Sequence, residues 1–209
     1  GLIGFSGTAE AYGPRFADYV VADAKFSTAP FLHTTDAVNL PIVSRLKDNL
    51  PELYAAAQAR FAGQPPHAVF LLDGDRFEVW DAQDFPAWQS LRWPSVRVLR
   101  YRQYKPDGRV IEAYWLTDFS LRHAGSLSLL RIAKSRWEIE NQGFNEAKNL
   151  YGLEHIRHHE ANSLLVGWLL LLLAISIERL YRARYLDRGK HPVPRAIDLL
   201  YQLWMNLSG

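Results

Sequence analysis

Residues 67–117 constrain the fold most, because two Asp-Gly turns divide them into four extended runs. His67 to Leu72 leads through Asp73-Gly74 into Arg76 to Trp80, and Val96 to Tyr104 leads through Lys105-Pro106-Asp107-Gly108 into Arg109 to Thr117. Asp-Gly accepts the positive φ angles that a tight hairpin demands, so each pair of runs predicts an antiparallel hairpin.

The residues before them follow another rule. Residues 1–15 are small or polar and carry no period, whereas Phe16 to Asp23 reads as a strand with Asp23 at its carboxyl end. A helix follows, with Ser27 or Thr28 as N-cap and Pro30 in the first turn, running to about Val38. Pro41 to Leu46 is a second strand, ending in Lys47-Asp48-Asn49. Strand, helix, strand implies a parallel pair with a right-handed crossover. Ligands of such sheets gather at the carboxyl ends of the strands, where Asp23 stands; an Asp there also serves as a helix cap or turn former. Long hairpins do not continue this pattern, so 67–118 reads as a β insertion.

A third signal lies near the carboxyl end. Leu130, Ala133, Trp137, Phe144, Ala147 and Tyr151 recur at spacings that mark one buried helix face, and Glu140 falls inside that seam. A carboxylate on the core side of a helix costs several kcal/mol unless something positive neutralises it. Arg136, one turn back, is one such partner; a metal ion is the other, and spacing does not choose between them. Gly143 permits a kink or the close approach of a partner.

Charge is informative only locally. The chain has 209 residues and a formal charge of +2, so net charge does not argue for nucleic acid. Arg92, Arg97, Arg100, Arg102, Lys105 and Arg109 cluster on the second hairpin, facing only Asp107, with Tyr101, Tyr104, Tyr114 and Trp115 interleaved. That mixture suits phosphates and unstacked bases, and equally suits a solvated hairpin with aromatic cross-strand pairs. The lack of Cys excludes disulfides and thiolate metal sites.

Arg136-Trp137-x-Ile139-Glu140-Asn141 followed by Phe144-Asn145-x-x-Lys148 resembles the last catalytic segment of the DDE-type transposases of bacterial insertion sequences. Val20 to Phe26 followed by Val43-Ser44-Arg45-Leu46-Lys47 resembles the block around that family's second catalytic Asp. In the family signature a Tyr precedes the Arg by three residues, where this chain has Ala133, and its Lys comes one residue earlier than Lys148. The resemblance implies an α/β fold: an RNase H-like mixed sheet with flanking helices, interrupted by an antiparallel β insertion, with a helical C-terminus. Residues 1–66 would form part of the core, 67–118 the insertion, and 119–209 the helical remainder.

The same resemblance implies a DNA transposase that cuts and joins strands through two divalent ions, Mg²⁺ or Mn²⁺. Asp23 and Glu140 would be its catalytic residues and metal ligands. Arg136, Asn141, Lys148, Trp115, Arg100 and Arg102 would contact DNA, Trp115 against a flipped base. The expected partners are double-stranded DNA, as transposon ends and target, and a second copy of the chain on that DNA; the expected location is the bacterial cytoplasm at the nucleoid, with no membrane. The family's first Asp has no counterpart among the 22 residues before Asp23. Asp18 lies five residues earlier on the same strand, which puts it on the opposite face. Together with a start, Gly1-Leu2-Ile3-Gly4, that lacks Met and any signal-peptide character, this implies the C-terminal part of a transposase, inactive alone. A non-catalytic DNA-binding remnant is the alternative.

The remaining features carry less. Leu164 to Ile177 is very apolar, but at 14 residues it is short of the roughly 20 that a membrane span needs, so a buried core helix is expected. His155, His158 and His159 beside Arg157 suit phosphate contacts or polar surface better than zinc. Arg179, Arg182, Arg184, Arg188 and Lys190 suggest a solvated basic helix face, and residues 194–206 a last short helix. Nucleotide-binding and hydrolase motifs of the common kinds are missing.

Overall fold

The computed structural model describes residues 17–138, 145–149, 160–181, 184 and 204–205. The chain divides into two compact units, Gly1–Arg136 and Trp137–Gly209.

The first unit is built on one six-stranded sheet, with strands β1 (Val20–Ala22), β2 (Ile42–Leu46), β3 (Ala68–Leu72), β4 (Asp75–Phe85), β5 (Val96–Tyr104) and β6 (Val110–Thr117). Their order is β1-β2-β6-β5-β4-β3. β1 and β2 are parallel, with Val21 opposite Val43, and every other pairing is antiparallel. The two hairpins are therefore not a separate sheet. β6 pairs with β2, Arg45 opposite Trp115, and carries β5, β4 and β3 outward from the parallel pair.

The turns explain the hairpins. Asp73 and Gly74 both have positive φ, 53° and 83°, the conformation of a two-residue turn whose twist matches the strands it joins. The second turn uses Pro106 to set one φ and Gly108, at φ 82°, to reverse the chain, closed by Gly108 N–H to Lys105 O at 3.0 Å.

Three helices cover this sheet. α1 (Ala29–Ala37) is the crossover between β1 and β2, with Thr28 at its N-cap and proline in the first turn. α2 (Pro51–Phe61) follows β2, also with proline at its start. Both pack on one face: Leu32, Leu53, Ala57 and Phe61 join Ile42, Leu46, Trp80, Val98, Tyr114 and Leu116. α3 (Ser126–Glu138) covers the other face, where Leu129, Leu130 and Ala133 meet Val43, Phe77, Val79, Leu99, Tyr101, Ala113 and Trp115. The alternation of side chains along β5 and β6 feeds both layers at once. Mixed sheet, flanking helices and antiparallel strands added to a parallel pair make an α/β fold of RNase H-like class.

In the second unit, α4 (Asn145–Asn149) is short and α5 (Ala161–Tyr181) is long. Two expectations change here. Leu164 to Ile177 belongs to a 21-residue helix, and its side chains are mostly exposed, Leu170 at 60%, so it is not a buried core helix among the described residues. Asn162–Tyr181 is long and apolar enough to cross a membrane. The seam of α3 also stops early: Leu130 and Ala133 are buried, but Trp137 is 45% exposed. Phe144, Tyr151, Gly143, the three histidines with Arg157, and Arg182, Arg188 and Lys190 lie outside the described residues.

Candidate active site

β1 ends at Ala22, and Asp23 is the first residue beyond its carboxyl end. Asp23 has an extended backbone, and its Oδ1 accepts the Ala24 N–H at 2.8 Å, starting the single 3-10 turn Ala24–Phe26. The capping role foreseen for such an Asp is thus real, yet it uses one oxygen; no protein donor bonds Oδ2 among the described residues, and the side chain is exposed.

The loop after Asp23 is pinned to β2. Buried Ser27 shares a 2.7 Å hydrogen bond with the Ser44 hydroxyl and donates to Arg45 O at 3.1 Å. Ser44 donates to Asp23 O at 3.3 Å, and Asn49 Nδ2 to Ala24 O at 2.8 Å. These four bonds hold the backbone of the loop that carries the exposed Asp23 side chain, the kind of support that ordered catalysis requires.

Beside it stands Arg45. Its guanidinium lies 5.3 Å from the centre of the Trp115 ring, with Nη2 donating to Glu112 O at 3.3 Å. Burial holds Arg45 below its ordinary pKa; the Tyr101 hydroxyl pulls it back up, Arg136 pushes it further down, and Asp23 acts with Tyr101. Tyr101, fully buried, is raised chiefly by burial. Arg136, near the end of α3, is thus brought into the same electrostatic neighbourhood as Arg45, Tyr101 and, through Arg45, Asp23. Arg136 and Asp23 both lie within electrostatic reach of Arg45.

The sequence points to Asp23 and Arg136 as site residues; it carries Ser44 and Arg45 only inside the family block and Tyr101 only among the aromatics of the basic hairpin, and gives Ser27 and Asn49 no site role. Strand parity held the signal for Arg45: it sits two residues after Val43 on β2, so both point to one face. Glu140 and Asn141 lie outside the described residues. Lys148, on α4, is exposed.

The basic hairpin differs from its expected form. Its arginines do not face only Asp107. Arg97 is buried against Asp81, both 3% exposed, with Nε to Oδ1 at 2.7 Å and Nη2 to Oδ2 at 2.5 Å. Arg100 and Arg102 both bond Glu112, at 3.1 and 2.7 Å, and Arg109 bonds Asp107. The acids that answer these arginines, Asp81 and Glu112, stand on neighbouring strands rather than beside them in sequence. Trp115 is fully buried, so its ring carries Arg45 on the core side and offers no exposed face to a base.

Among the described residues no three His, Asp or Glu side chains are assembled as a metal site. Asp23 does offer the hard, unsaturated carboxylate oxygen that Mg²⁺ and Mn²⁺ prefer.

The sheet is thus RNase H-like, with an acid at the carboxyl tip of its first strand and Arg45 within electrostatic reach of it. The family described as Transposase DDE domain matches residues 5–177, and the chain belongs to that family. Its members are transposition enzymes that act on DNA with divalent metal ions. Comparison with curated proteins gives no match.

Proposed function

We propose that Asp23 and Glu140 supply two carboxylates of a divalent-metal site that cuts and joins DNA at transposon ends. The observation that carries this reading is Asp23, whose Oδ2 takes no protein hydrogen bond among the described residues, on a loop pinned to β2 and beside Arg45, in whose field Arg136 also stands. Glu140 follows Arg136 by four residues in sequence. Mg²⁺ or Mn²⁺, when bound, would activate the attacking oxygen and stabilise the leaving one.

The chain's own residues have separate tasks. Asp23 and Glu140 hold the ions with oxygen ligands. Arg45 and Arg136 place positive charge where the scissile phosphate gathers negative charge, and Trp115 and Tyr101 fix Arg45 from below. Lys148 and Asn141 contact the DNA backbone near the cut. The double-stranded ends and target are held by two copies of the chain, in the cytoplasm at the nucleoid.

Titration of Mn²⁺ followed by electron paramagnetic resonance tests the reading. Asp23→Asn and Glu140→Gln should each weaken Mn²⁺ binding by about tenfold or more, the loss expected of a carboxylate ligand. Equal Mn²⁺ affinity in wild type and both variants sinks it. If DNA binding survives in that case, the non-catalytic DNA-binding remnant is the better description.

A further inference from the structure

The sheet has two edges, and they are not alike. β1, at one edge, is three residues long and stands between Asp18 and Asp23. β3, at the other, is Ala68-Val69-Phe70-Leu71-Leu72, with neither a charge nor a proline, and it pairs with β4 in unbroken register. Among the described residues no strand lies on its outer side. Edge strands are ordinarily guarded by charge, proline, bulges or brevity, because their unpaired N–H and C=O groups accept another strand. Within β3 the first three guards are missing, and its five residues are an ordinary strand length.

Exposure shows what this edge offers. Phe70 and Leu72 pack into the layer beneath α3, while Val69 and Leu71, on the opposite face, are 49% and 78% exposed. A two-residue turn is closed by the bonded pair that flanks it, here Leu72 and Asp75. Bonded pairs alternate along an antiparallel ladder, so Ala68, Phe70 and Leu72 turn their N–H and C=O groups to β4, and Val69 and Leu71 turn theirs outward. The β4 neighbours of Val69 and Leu71 are Glu78 and Arg76, which pair with each other at 2.7 Å and put no net charge beside them.

We propose that β3 is the contact surface for a second copy of this chain, the two edges pairing antiparallel about Phe70. The register follows from the sequence: Pro66 and Gly74 bound the extended segment, and Phe70 is its midpoint. Val69 then faces Leu71 of the second copy, so residues with outward N–H and C=O groups meet one another, and their exposed apolar side chains cover one another across the seam. At each end His67 meets Asp73 of the second copy; both are exposed. His67 Nδ1 accepts the Asp81 N–H at 3.0 Å, so the neutral ring carries its proton on Nε2, from which it donates to that carboxylate. An edge that is apolar in its middle, a donor at one end and acidic at the other is complementary to itself when reversed. This goes beyond the reading above, in which DNA holds the two copies; here they meet with no DNA present.

The chain has no Cys, so introduced thiols report on this seam alone. Val69→Cys and Leu71→Cys stand at exposed positions and leave the core intact. Mixed in equal amounts and treated with diamide, in EDTA and without DNA, the two full-length variants should form disulfide-linked dimers about fivefold faster than either alone, because Cβ atoms directly opposite lie about 5 Å apart and diagonal ones about 7–8 Å. In sedimentation equilibrium the wild type should dimerise, and Leu71→Lys should weaken the dimer by about tenfold or more, since each seam then holds two lysines. Equal cross-linking in the mixture and in the single variants overturns the proposal. Association that survives Leu71→Lys overturns it too, and assigns the contact to another surface such as α5. A wild type that stays monomeric overturns it and leaves the edge to an extended segment of a different protein. If a Cys variant fails to fold, Leu71→Lys decides. Neither metal nor DNA is present, so these outcomes are independent of Mn²⁺ binding by Asp23.

Discussion

Single residues in this sheet hold charge in places where water would otherwise be needed. Asp81 and Arg97 are the clearest case. Arg97 also donates to Ala124 O at 2.7 Å and Phe119 O at 3.2 Å, while Ser126 donates to Asp81 Oδ2 at 2.6 Å. The pair is therefore compensated on both sides, and removing one member strands the other. Asp81→Ala should destabilise the protein by about 3–5 kcal/mol, the cost of an uncompensated buried charge; a loss within experimental error in urea unfolding would contradict the burial. Glu78 offers a pH test. The Tyr104 hydroxyl at 2.8 Å and Arg76 at 2.7 Å outweigh burial and hold its carboxyl below the usual carboxylate range. Its unfolded pKa is then the higher one. The stability it gives is present above that unfolded value and lost as pH falls through the folded value. Wild type should lose stability more steeply than Glu78→Gln as pH falls from about 6 to about 3, since only the wild-type side chain takes up protons on unfolding. Parallel curves would show that the contacts do not persist in solution.

Elements inherit these local choices. The β3–β4 turn needs positive φ at Asp73 and Gly74, and nothing lies within 4 Å of a Cβ built on Gly74. Space is thus no obstacle, and strain alone sets the cost. Gly74→Ala should cost about 1 kcal/mol, and Gly74→Val more, because a branched side chain resists that conformation further. Equal stabilities, measured by thermal unfolding, would mean that the turn has changed type. Helix α3 depends on the hairpin beneath it. Ser126, its first residue, is tied to Asp81 on β4, and Arg97 on β5 holds the carbonyl of Ala124 just before it. Ser126→Ala should remove about 0.5–1.5 kcal/mol, the usual worth of one hydrogen bond. That anchor fixes the start of the helix that carries Arg136.

At the level of the whole molecule, a net charge of +2 conceals an uneven surface. α5 shows large apolar side chains to solvent, Leu169 and Leu173 among them, one turn apart. Apolar area of that extent promotes association. Leu169→Lys combined with Leu173→Lys should lower light scattering of the purified chain while its helical circular dichroism is kept; loss of that signal would mean these side chains are covered in solution.

Much of the fold was legible beforehand, and the reasons differ by element. Asp-Gly turns are local chemistry, so both hairpins could be read from them, although the strand expected over Arg76 to Trp80 runs on to Phe85. The parallel pair β1 and β2 followed from strand, helix and strand in order, and the helix start from Thr28 and Pro30. Asp23 at a strand tip and Arg136 four residues before Glu140 were visible as spacing. What the chain's order alone did not determine was pairing across distance. Only the folded sheet shows that β6 lies against β2, that Glu112 answers Arg100 and Arg102, that Asp81 answers Arg97, and that Asp23 and Arg136 both come within electrostatic reach of Arg45. An exposed helix and a buried one carry the same apolar residues, so α5 could not be told from core by composition. Turn types and caps depend on neighbours in sequence, whereas ion pairs, burial and the meeting of site residues depend on contacts that only tertiary folding creates.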